Sequence, residues 1–377
     1  MGLIVTEENE MDNKIRTVVS AFCIDGTLRE WIPYGNGHIN DTYRLTFEHH
    51  GEIKRYILQK MNTNIFTNPE ALMENISGVT DWIKNKVLEQ GGDPERETLN
   101  LVKTRDGQTY HTDQENGCWR VYLFIEHATS YDLVKNDNDF YQSAVAFGRF
   151  QHLLADYPAD KLHETIANFH NTSDRFCQLK QSVEADPCGR VKEVEQELQF
   201  AWEHESLAHA ICDLQNEKKL PLRVTHNDTK LNNVMIDDAT GKGICVIDLD
   251  TVMPGLSIHD FGDSIRFGAS TAEEDERDLS KVHFDIHLYE VYVKGFLEGC
   301  QNALTDLELE MMPMGAITMT FECGTRFLKD YIDGDHYFKT HREKQNLDRC
   351  RTQFKLVAEM EEQLPQMKAI IEKYRNQ

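Results

Sequence analysis

Three oxygen-bearing side chains stand at fixed offsets within residues 224–250. Asp228 follows a His-Asn pair, Asn233 comes five residues later, and Asp248 lies near the end of the next apolar run. A carboxylate can orient and deprotonate a hydroxyl group, while an amide oxygen and a second carboxylate can hold Mg²⁺, which prefers oxygen ligands. These residue types at this spacing predict Mg-dependent phosphoryl transfer from a nucleotide to an alcohol, with Asp228 catalytic and with Asn233 and Asp248 binding the metal.

The elements that position these side chains can be predicted from the same stretch. Two short apolar runs, residues 233–236 and 244–249, flank a turn rich in Asp, Thr, Gly and Lys, which is typical of a β-hairpin. A hairpin places the start of its first strand beside the end of its second, so Asn233 and Asp248 are expected to lie close together. The alternative is a polar loop before an ordinary hairpin, with Asp228 capping a turn.

A nucleotide-binding end is predicted earlier in the chain. Gly35 and Gly37 form a glycine-containing turn before an alternating strand at residues 42–47, and backbone N–H groups of such a turn can approach phosphates. A plain hairpin turn is the alternative. Lys60 ends an apolar strand at residues 56–60, where kinases place the lysine that contacts the α- and β-phosphates. The alternative for Lys60 is a side chain that reaches solvent.

The following segment completes a small β-rich region. Residues 69–90 carry an apolar stripe at helical spacing, and we expect Glu74 on this helix to pair with Lys60, with Glu70 as the other candidate. Strands are predicted at residues 98–103 and 118–126. Glu126 then opens a hinge whose backbone is expected to bind the adenine ring.

The motifs resemble those of the aminoglycoside phosphotransferase and choline kinase family. The loop His-Asn-Asp-Thr-Lys-Leu-Asn-Asn at 226–233 and the run Val-Ile-Asp-Leu-Asp at 246–250 carry this resemblance. The longer runs at 248–255 and 260–268 are similar to those of N-acetylhexosamine 1-kinases, and the similarity extends from about Tyr34 to Phe354. It implies ATP and Mg²⁺ as cofactors and a small sugar as substrate.

The late segment at residues 321–338 is dense in polar and aromatic side chains. Its spacing alone favours a structural helix with a turn at Asp333-Gly334. The resemblance implies instead that the sugar is held by a His of the glycine-containing loop, the catalytic Asp, and a late Arg and Tyr. The matching residues of this sequence are His38, Asp228, Arg326 and Tyr337.

The tripeptide Asp260-Phe261-Gly262 spells the metal-binding motif of protein kinases, but it follows a Met-Pro-Gly turn that interrupts the predicted hairpin. We therefore favour Asp248 for the metal. Asp260 and Asp263 are expected to cap a helix beginning near Ser264 and to brace the loop.

Composition excludes several classes of function. The 377 residues carry a formal net charge of −24, which argues against nucleic acid and anionic membranes as partners. No apolar run approaches the ~20 residues of a membrane span, and the polar start lacks the order of a signal peptide. Nine dispersed cysteines indicate reduced thiols and a cytoplasmic protein. The charged helices at 171–219, which include Arg175, Lys180, Arg190 and Lys192, are interpreted as solvated faces.

Together these patterns predict an α+β, two-lobed, protein-kinase-like fold. A small β-rich lobe is expected at residues 1–127 and a large helical lobe at 128–377. The resemblance implies that the reaction is ATP-dependent phosphorylation of the anomeric C1 hydroxyl of an N-acetylhexosamine. The alternatives are a kinase of another small alcohol (choline, homoserine or an aminoglycoside) and a nucleotide-binding module without catalysis. The oligomeric state and the preference between gluco and galacto sugars stay open.

Overall fold

The computed structural model describes residues 2–35, 39–131, 134 and 136–375, with the side chains of residues 2–9 excepted. The helices are α1 (Gly2–Ser20), α2 (Pro69–Glu89), α3 (Asp137–Leu153), α4 (Thr172–Ala185), α5 (Glu195–Glu203), α6 (Glu205–Asn216), α7 (Ser257–Gly268), α8 (Ile286–Cys300), α9 (Asp306–Asp333), α10 (Gln345–Glu362) and α11 (Leu364–Tyr374). The strands are β1 (Thr27–Pro33), β2 (Asp41–His49), β3 (Glu52–Met61), β4 (His111–Thr112), β5 (Cys118–Leu123), β6 (Ala128–Thr129), β7 (Arg223–Thr225), β8 (Val234–Asp237), β9 (Gly243–Val246) and β10 (Met253–Gly255).

The chain forms two compact units. Unit 1 contains Met1–Ala128 together with two later segments, Leu162–Thr165 and Ile244–Asp250. Unit 2 contains Thr129–Lys161, Ile166–Gly243 and Thr251–Gln377. Asp248 therefore belongs to the first unit, although the sequence analysis assigned this part of the chain to the helical lobe.

Unit 1 is built on an antiparallel sheet with the strand order β1-β2-β3-β5-β4. Alternate positions of the central strands are buried, and they pack with the apolar face of α1 in one core; its members include Val18, Phe22, Leu45, Leu58 and Val121. The predicted strand at residues 98–103 is not regular. That segment runs beside β5 through isolated bonds, such as Val102 N–H to the Val121 carbonyl at 2.8 Å.

The predicted helix at residues 69–90 is confirmed as α2. Asn68 caps it by accepting a hydrogen bond from the Ala71 N–H at 3.1 Å, and Pro69 occupies its first turn, where a missing N–H costs nothing. Its buried positions include Leu72, Ile76 and Val79.

Unit 2 is mainly helical, and α9 packs against α4, α7 and α10. Helices α7 and α9 approach each other closely, and each helix has a glycine at the contact. A Cβ atom on Gly262 would lie 2.4 Å from the Gly315 carbonyl oxygen, and one on Gly315 would lie 2.6 Å from the Ile258 carbonyl oxygen. Phe261 is fully buried beside them. The tripeptide Asp260-Phe261-Gly262 thus serves helix packing in unit 2.

The predicted hairpin forms, with shifted ends. The turn between β8 and β9 is closed by a hydrogen bond from the Asp237 N–H to the Lys242 carbonyl at 2.8 Å. Asn233 does not start the first strand but ends a 3₁₀ turn just before β8, and β9 stops at Val246, before Asp248. Asp248 instead has a left-handed backbone with φ of 60°, which is uncommon for a non-glycine residue.

Two further expectations about the segment after the hairpin are corrected. The Met-Pro-Gly sequence is not a turn but the short strand β10, paired antiparallel with β7. The next helix, α7, begins at Ser257 and not near Ser264, and its N-cap position is Leu256. Asp260 and Asp263 therefore lie inside this helix and do not cap it.

Candidate active site

The catalytic loop, residues 226–233, is held in place by two buried carboxylates of α7. Asp260 accepts hydrogen bonds from the backbone N–H groups of His226 at 2.9 Å and Asn227 at 2.8 Å. Asp263 accepts one from the Thr229 N–H at 3.2 Å. Bracing of the loop by Asp260 and Asp263 is thus confirmed. Because a loop cannot satisfy these N–H groups itself, the two carboxylates determine its backbone conformation.

The Asp260 carboxylate is engaged by three donors of the protein. In addition to the two backbone donors, its carboxylate accepts a hydrogen bond from Gln151 Nε2 at 2.9 Å, and the side chain is almost completely buried. Burial raises the pKa of the Asp260 carboxyl, and the neighbouring His226 and the N–H donors oppose part of that rise. These contacts are those of a structural carboxylate.

Asp228 presents its carboxylate at the surface of this braced loop, with 28% of the side chain exposed. Lys230 Nζ lies 2.7 Å from Asp228 Oδ1, and Asn233 Nδ2 donates to the Asp228 carbonyl at 2.8 Å and to Oδ2 at 3.2 Å. Burial would lower the pKa of Lys230, but the Asp228 carboxylate raises it above its usual value. Lys230 therefore stays charged beside the carboxylate.

Sequence reasoning missed Lys230 as a part of this site. The signal that could have found it is its position, since Lys230 follows the candidate base by only two residues on the same short loop. Its ammonium group can hold the Asp228 carboxylate in one orientation and offset negative charge that gathers there.

The side chain of Asn233 is oriented in a way that fits a metal ligand. Its amide nitrogen donates to Asp228, and its amide oxygen makes no hydrogen bond among the described residues. An amide oxygen held in this way is suited to a hard cation such as Mg²⁺. No group of three or more His, Cys, Asp or Glu side chains that could hold a metal occurs in the described part of the chain.

Asp248 belongs to unit 1, where it is exposed and stands two residues before a member of a buried ion pair. Arg120 Nη1 lies 2.5 Å from Asp250 Oδ1, with both side chains almost inaccessible. Burial would lower the pKa of Arg120, but the carboxylates of Asp250 and, more weakly, Asp248 raise it. Gln59 Oε1 accepts two further hydrogen bonds from the Arg120 guanidinium, at 3.0 and 2.8 Å. The left-handed backbone of Asp248 thus lies two residues from a buried ion pair that Gln59 also contacts.

The same ion pair fixes the end of the glycine-containing turn. Asn40 Nδ2 donates to Asp250 Oδ2 at 2.6 Å, and Asn40 Oδ1 accepts from the Asn62 N–H at 3.0 Å. Gly35 has a left-handed backbone, with φ of 77°, which glycine adopts without strain. Gly37 and His38 lie outside the described residues.

The remaining nucleotide-site candidates of unit 1 are not brought together. Lys60 lies at the end of β3, with its Nζ 5.9 Å from the centre of the Trp119 ring. Glu74 is 60% exposed, and its Oε2 lies 2.6 Å from His163 Nε2. The expected Lys60–Glu74 ion pair does not form among the described residues. The Glu74 carboxylate contacts His163 instead.

Glu126 forms contacts that the sequence did not indicate. Its carboxylate accepts two hydrogen bonds from the Arg55 guanidinium, one of them from Nε at 2.9 Å. Its carbonyl oxygen accepts from Arg96 Nη2 at 3.1 Å, and the same nitrogen donates to the His127 carbonyl at 3.1 Å. Two carbonyl groups at the start of the predicted hinge are therefore engaged by arginine.

A second polar cluster in unit 2 contains the two late site candidates, and we name it the Arg326 cluster. Its members are Phe169, Glu322, Arg326, Tyr337 and Phe338. The Arg326 guanidinium carbon lies 5.5–5.9 Å from the centres of the three aromatic rings. Arg326 Nη2 donates to the Tyr337 hydroxyl at 3.4 Å. The structure thus brings Arg326 and Tyr337 together, as the resemblance implies.

The carboxylate of this cluster is buried and ionised. Glu322 is 1% exposed, lies 3.8 Å from Arg326 Nη1, and accepts hydrogen bonds from His170 and from Thr172 Oγ1 at 2.8 Å. Burial would raise the pKa of Glu322, but His170, Arg326 and Thr172 lower it to about 2. His259, packed next to His170, has its pKa lowered to about 3 by burial and by the His170 charge.

The backbone that carries Tyr337 is fixed although its side chain is 69% exposed. The Asp330 carboxylate, which is 4% exposed, accepts hydrogen bonds from the N–H groups of His336, Tyr337 and Phe338 at 2.8–3.0 Å. Gly334, with φ of 109°, ends α9 just before this turn. The structural helix end and the polar cluster are therefore two parts of one arrangement.

No helix of the described residues is long and apolar enough to cross a membrane. A braced loop that presents an aspartate beside a lysine and an asparagine is the arrangement that phosphotransferases use to direct a hydroxyl group. The chain belongs to the phosphotransferase enzyme family, whose pattern matches residues 30–291.

Solved structures share its fold. They include an aminoglycoside phosphotransferase from Alicyclobacillus acidocaldarius (TM-score 0.61, 14% identity, 95% of this chain and 96% of that one covered) and a choline kinase from Cryptosporidium parvum (0.58, 13%, 97% and 100%). A spectinomycin phosphotransferase in complex with ADP and spectinomycin is also similar (0.55, 15%, 93% and 96%). At this level of identity the likeness concerns the fold, and it confirms the predicted α+β, protein-kinase-like class.

Proposed function

We propose that the protein transfers the γ-phosphoryl group of ATP to the anomeric C1 hydroxyl of an N-acetylhexosamine, giving a sugar 1-phosphate and ADP. Phosphotransferase activity follows from the family, and the choice of a sugar as acceptor is our proposal. The observation that carries this choice is the Arg326 cluster, in which one guanidinium lies among three aromatic rings and a tyrosine hydroxyl.

This cluster fits an uncharged acceptor that is rich in oxygen atoms. A guanidinium group donates hydrogen bonds and accepts none, so it suits hydroxyl and carbonyl oxygens. Aromatic rings give a face on which a sugar ring can stack. Choline and aminoglycosides carry positive charge, which a nearby arginine repels. The likeness to a choline kinase therefore supports the fold of this chain more than that substrate.

Asp228 is the residue that we expect to receive the proton of the sugar hydroxyl. Its carboxylate is exposed at the loop surface, and Lys230 and Asn233 hold its two oxygens in one orientation. A positioned carboxylate of this kind acts as a general base or as an orienting group for the attacking oxygen. Most of the rate enhancement is expected from positioning and charge stabilisation, because phosphoryl transfer needs little covalent chemistry from the protein.

ATP and Mg²⁺ are the cofactors expected for a member of this family, in line with the ADP bound in the spectinomycin phosphotransferase. When bound, Mg²⁺ would neutralise part of the phosphate charge. The amide oxygen of Asn233 and the carboxylate of Asp248 are the proposed ligands. Lys60 is proposed to contact phosphate groups, Gly35 and Gly37 to approach them through the backbone, and His38 to join Asp228, Arg326 and Tyr337 around the sugar.

The deciding experiment is ADP release with Mg-ATP and a panel of free sugars and amino alcohols, with the product identified by phosphorus NMR. We expect an anomeric phosphate from N-acetylglucosamine or N-acetylgalactosamine. Turnover with amino alcohols alone would keep the role of Asp228 and refute the sugar site. Tight ATP binding without turnover of any acceptor would favour a nucleotide-binding module.

A further inference from the structure

A second arginine, Arg175, lies next to the Arg326 cluster. It stands in the second turn of α4, and the sequence pattern placed it on a solvated helix face. The structure corrects this interpretation, because Arg175 is only partly exposed and Arg326, Glu322 and Tyr337 all lie close enough to affect its charge. Burial, followed by the like charge of Arg326, lowers the pKa of Arg175.

The guanidinium of Arg175 is poorly satisfied by the protein. Its Nη2 donates to the Phe169 carbonyl at 3.2 Å, and its buried Nε has no hydrogen-bond partner within the described part of the chain. No carboxylate lies within ion-pair distance of it among the described residues. Arg190 and Lys180 on the neighbouring surfaces differ, since they are paired with Asp335 and Glu205 at 2.6 Å.

The charges of this site do not balance. Glu322 is the carboxylate in contact with Arg326, and it is shared with His170 and Thr172. The two guanidinium groups share Glu322, and the Asp174 carboxylate also acts on Arg175 but forms no ion pair with it among the described residues. The position near the start of α4 adds to the cost, because a helix N-terminus disfavours cations. An unbalanced, half-buried cation with an unused donor indicates a ligand that supplies acceptor atoms.

We propose that Arg175 is a second guanidinium of the acceptor site, which binds oxygen atoms of an uncharged sugar together with Arg326 and rejects acceptors that carry an ammonium group. This inference rests on the proposed function and assigns the selectivity of that site to a residue outside the predicted set. The alternative role of Arg175 is structural, since its bond to the Phe169 carbonyl also anchors the turn that precedes α4.

The test compares two sugars that differ in charge at C2. N-acetylglucosamine is neutral, and glucosamine carries an ammonium group. We expect Arg175→Met to lower kcat/KM for N-acetylglucosamine about tenfold, mainly through KM, as expected for lost binding energy, and to lower the ratio of N-acetylglucosamine to glucosamine turnover at least fivefold. Lys180→Met on the same helix removes one exposed, paired charge and serves as the matched control, with both values expected within about twofold of the wild type.

A conservative variant separates selectivity from structure. Arg175→Lys keeps the charge and loses the planar fork, so we expect KM to rise while the ratio between the two sugars stays near the wild-type value. A purely structural role would lower the melting temperature of both variants and leave the ratio of Arg175→Met at the wild-type value, and that result would overturn the inference. If Arg175→Met does not fold, Arg175→Gln, which also removes the charge, provides the ratio. Absence of sugar turnover by the wild type would refute the proposed function itself, whereas sugar turnover with an unchanged ratio would refute this inference alone.

Discussion

The catalytic loop and the Arg326 cluster lie in the same unit, yet they treat their polar groups in opposite ways. In the loop, the buried N–H groups of His226, Asn227 and Thr229 are each matched to a carboxylate oxygen of α7. In the Arg326 cluster, Arg175 keeps an unused donor and the Tyr337 side chain is mostly exposed. These backbone N–H groups of the loop are therefore satisfied without a ligand, whereas the cluster keeps a side-chain donor unused.

This difference suggests a division of labour. A loop whose backbone is braced by buried carboxylates presents Asp228 in one geometry whatever acceptor arrives, which is the property that the chemical step requires. A cluster with unsatisfied donors gains the most from an acceptor that satisfies them, so it is suited to selecting the substrate. Changes in the loop are accordingly expected to alter kcat or stability, and changes in the cluster are expected to alter KM.

The largest effect is expected from Asp228→Asn. This substitution keeps the shape of the side chain and removes its capacity to accept a proton, so we expect kcat to fall about 10²–10⁴-fold. ATP affinity, measured by calorimetry, is expected to stay within about threefold of the wild type because the loop backbone is held by Asp260 and Asp263. A kcat near the wild-type value would refute the role of Asp228.

Asp260→Ala tests the bracing of the loop. It leaves the backbone N–H groups of His226 and Asn227 without their acceptor and removes one of the two acceptors of Gln151. Because each unmet donor costs about 1–3 kcal/mol, we expect the free energy of unfolding to drop by about 3 kcal/mol in urea denaturation. Asp278→Ala is the matched control, since that exposed carboxylate also accepts a backbone N–H, from Ser280 at 3.1 Å. Unchanged stability together with loss of Mg-dependent activity, while Asp248→Ala stays active, would assign the metal to Asp260.

Glu322→Gln sharpens the comparison from the side of the cluster. The substitution keeps the size of the side chain and removes the charge that faces Arg326 at 3.8 Å. We expect KM for the sugar to rise about tenfold and kcat to change less than threefold, because an acceptor-binding group loses its orientation while the loop is untouched. Steady-state kinetics over a range of sugar concentrations provide both values. A fall in kcat at constant KM would contradict the proposed division.

A dependence of stability on pH is also expected. The pKa of His259 falls from 6.5 to about 3 on folding, so the unfolded chain binds a proton that the folded chain does not bind between these values. Stability is therefore complete above about pH 6.5 and declines as the pH falls toward 3, by at most about 1.4 kcal/mol per pH unit from this group. Glu322 adds a further loss below about pH 4.5, where its unfolded carboxyl begins to bind protons.

Urea denaturation of the wild type and His259→Gln between pH 8 and pH 4.5 measures this slope. The variant has no imidazole at this position, so its stability is expected to depend less steeply on pH. Parallel curves for the two proteins would show that His259 does not contribute to the pH dependence.

The sequence by itself was sufficient for the local features of this protein. It predicted the hairpin turn after Asn233, the helix α2 from its apolar stripe, and the fold class. The spacing of Asp228 and Asn233 could be read directly from it. Each depends on a pattern within about 25 residues or on a family motif, and such patterns report backbone periodicity and turn chemistry directly. The predicted ends of the strands were less accurate, because β9 already ends at Val246, before Asp248.

Only the tertiary structure decided which distant side chains meet. Gly262 and Gly315 allow α7 to pack closely on α9, and neither glycine carries a local signal of that contact. Glu74 meets His163, and Arg120 meets Asp250, through packing that no periodicity encodes. The same holds for Arg175, which helical charge patterning assigned to solvent. Burial and charge balance arise from all elements that surround a side chain, so they become visible only after the chain has folded.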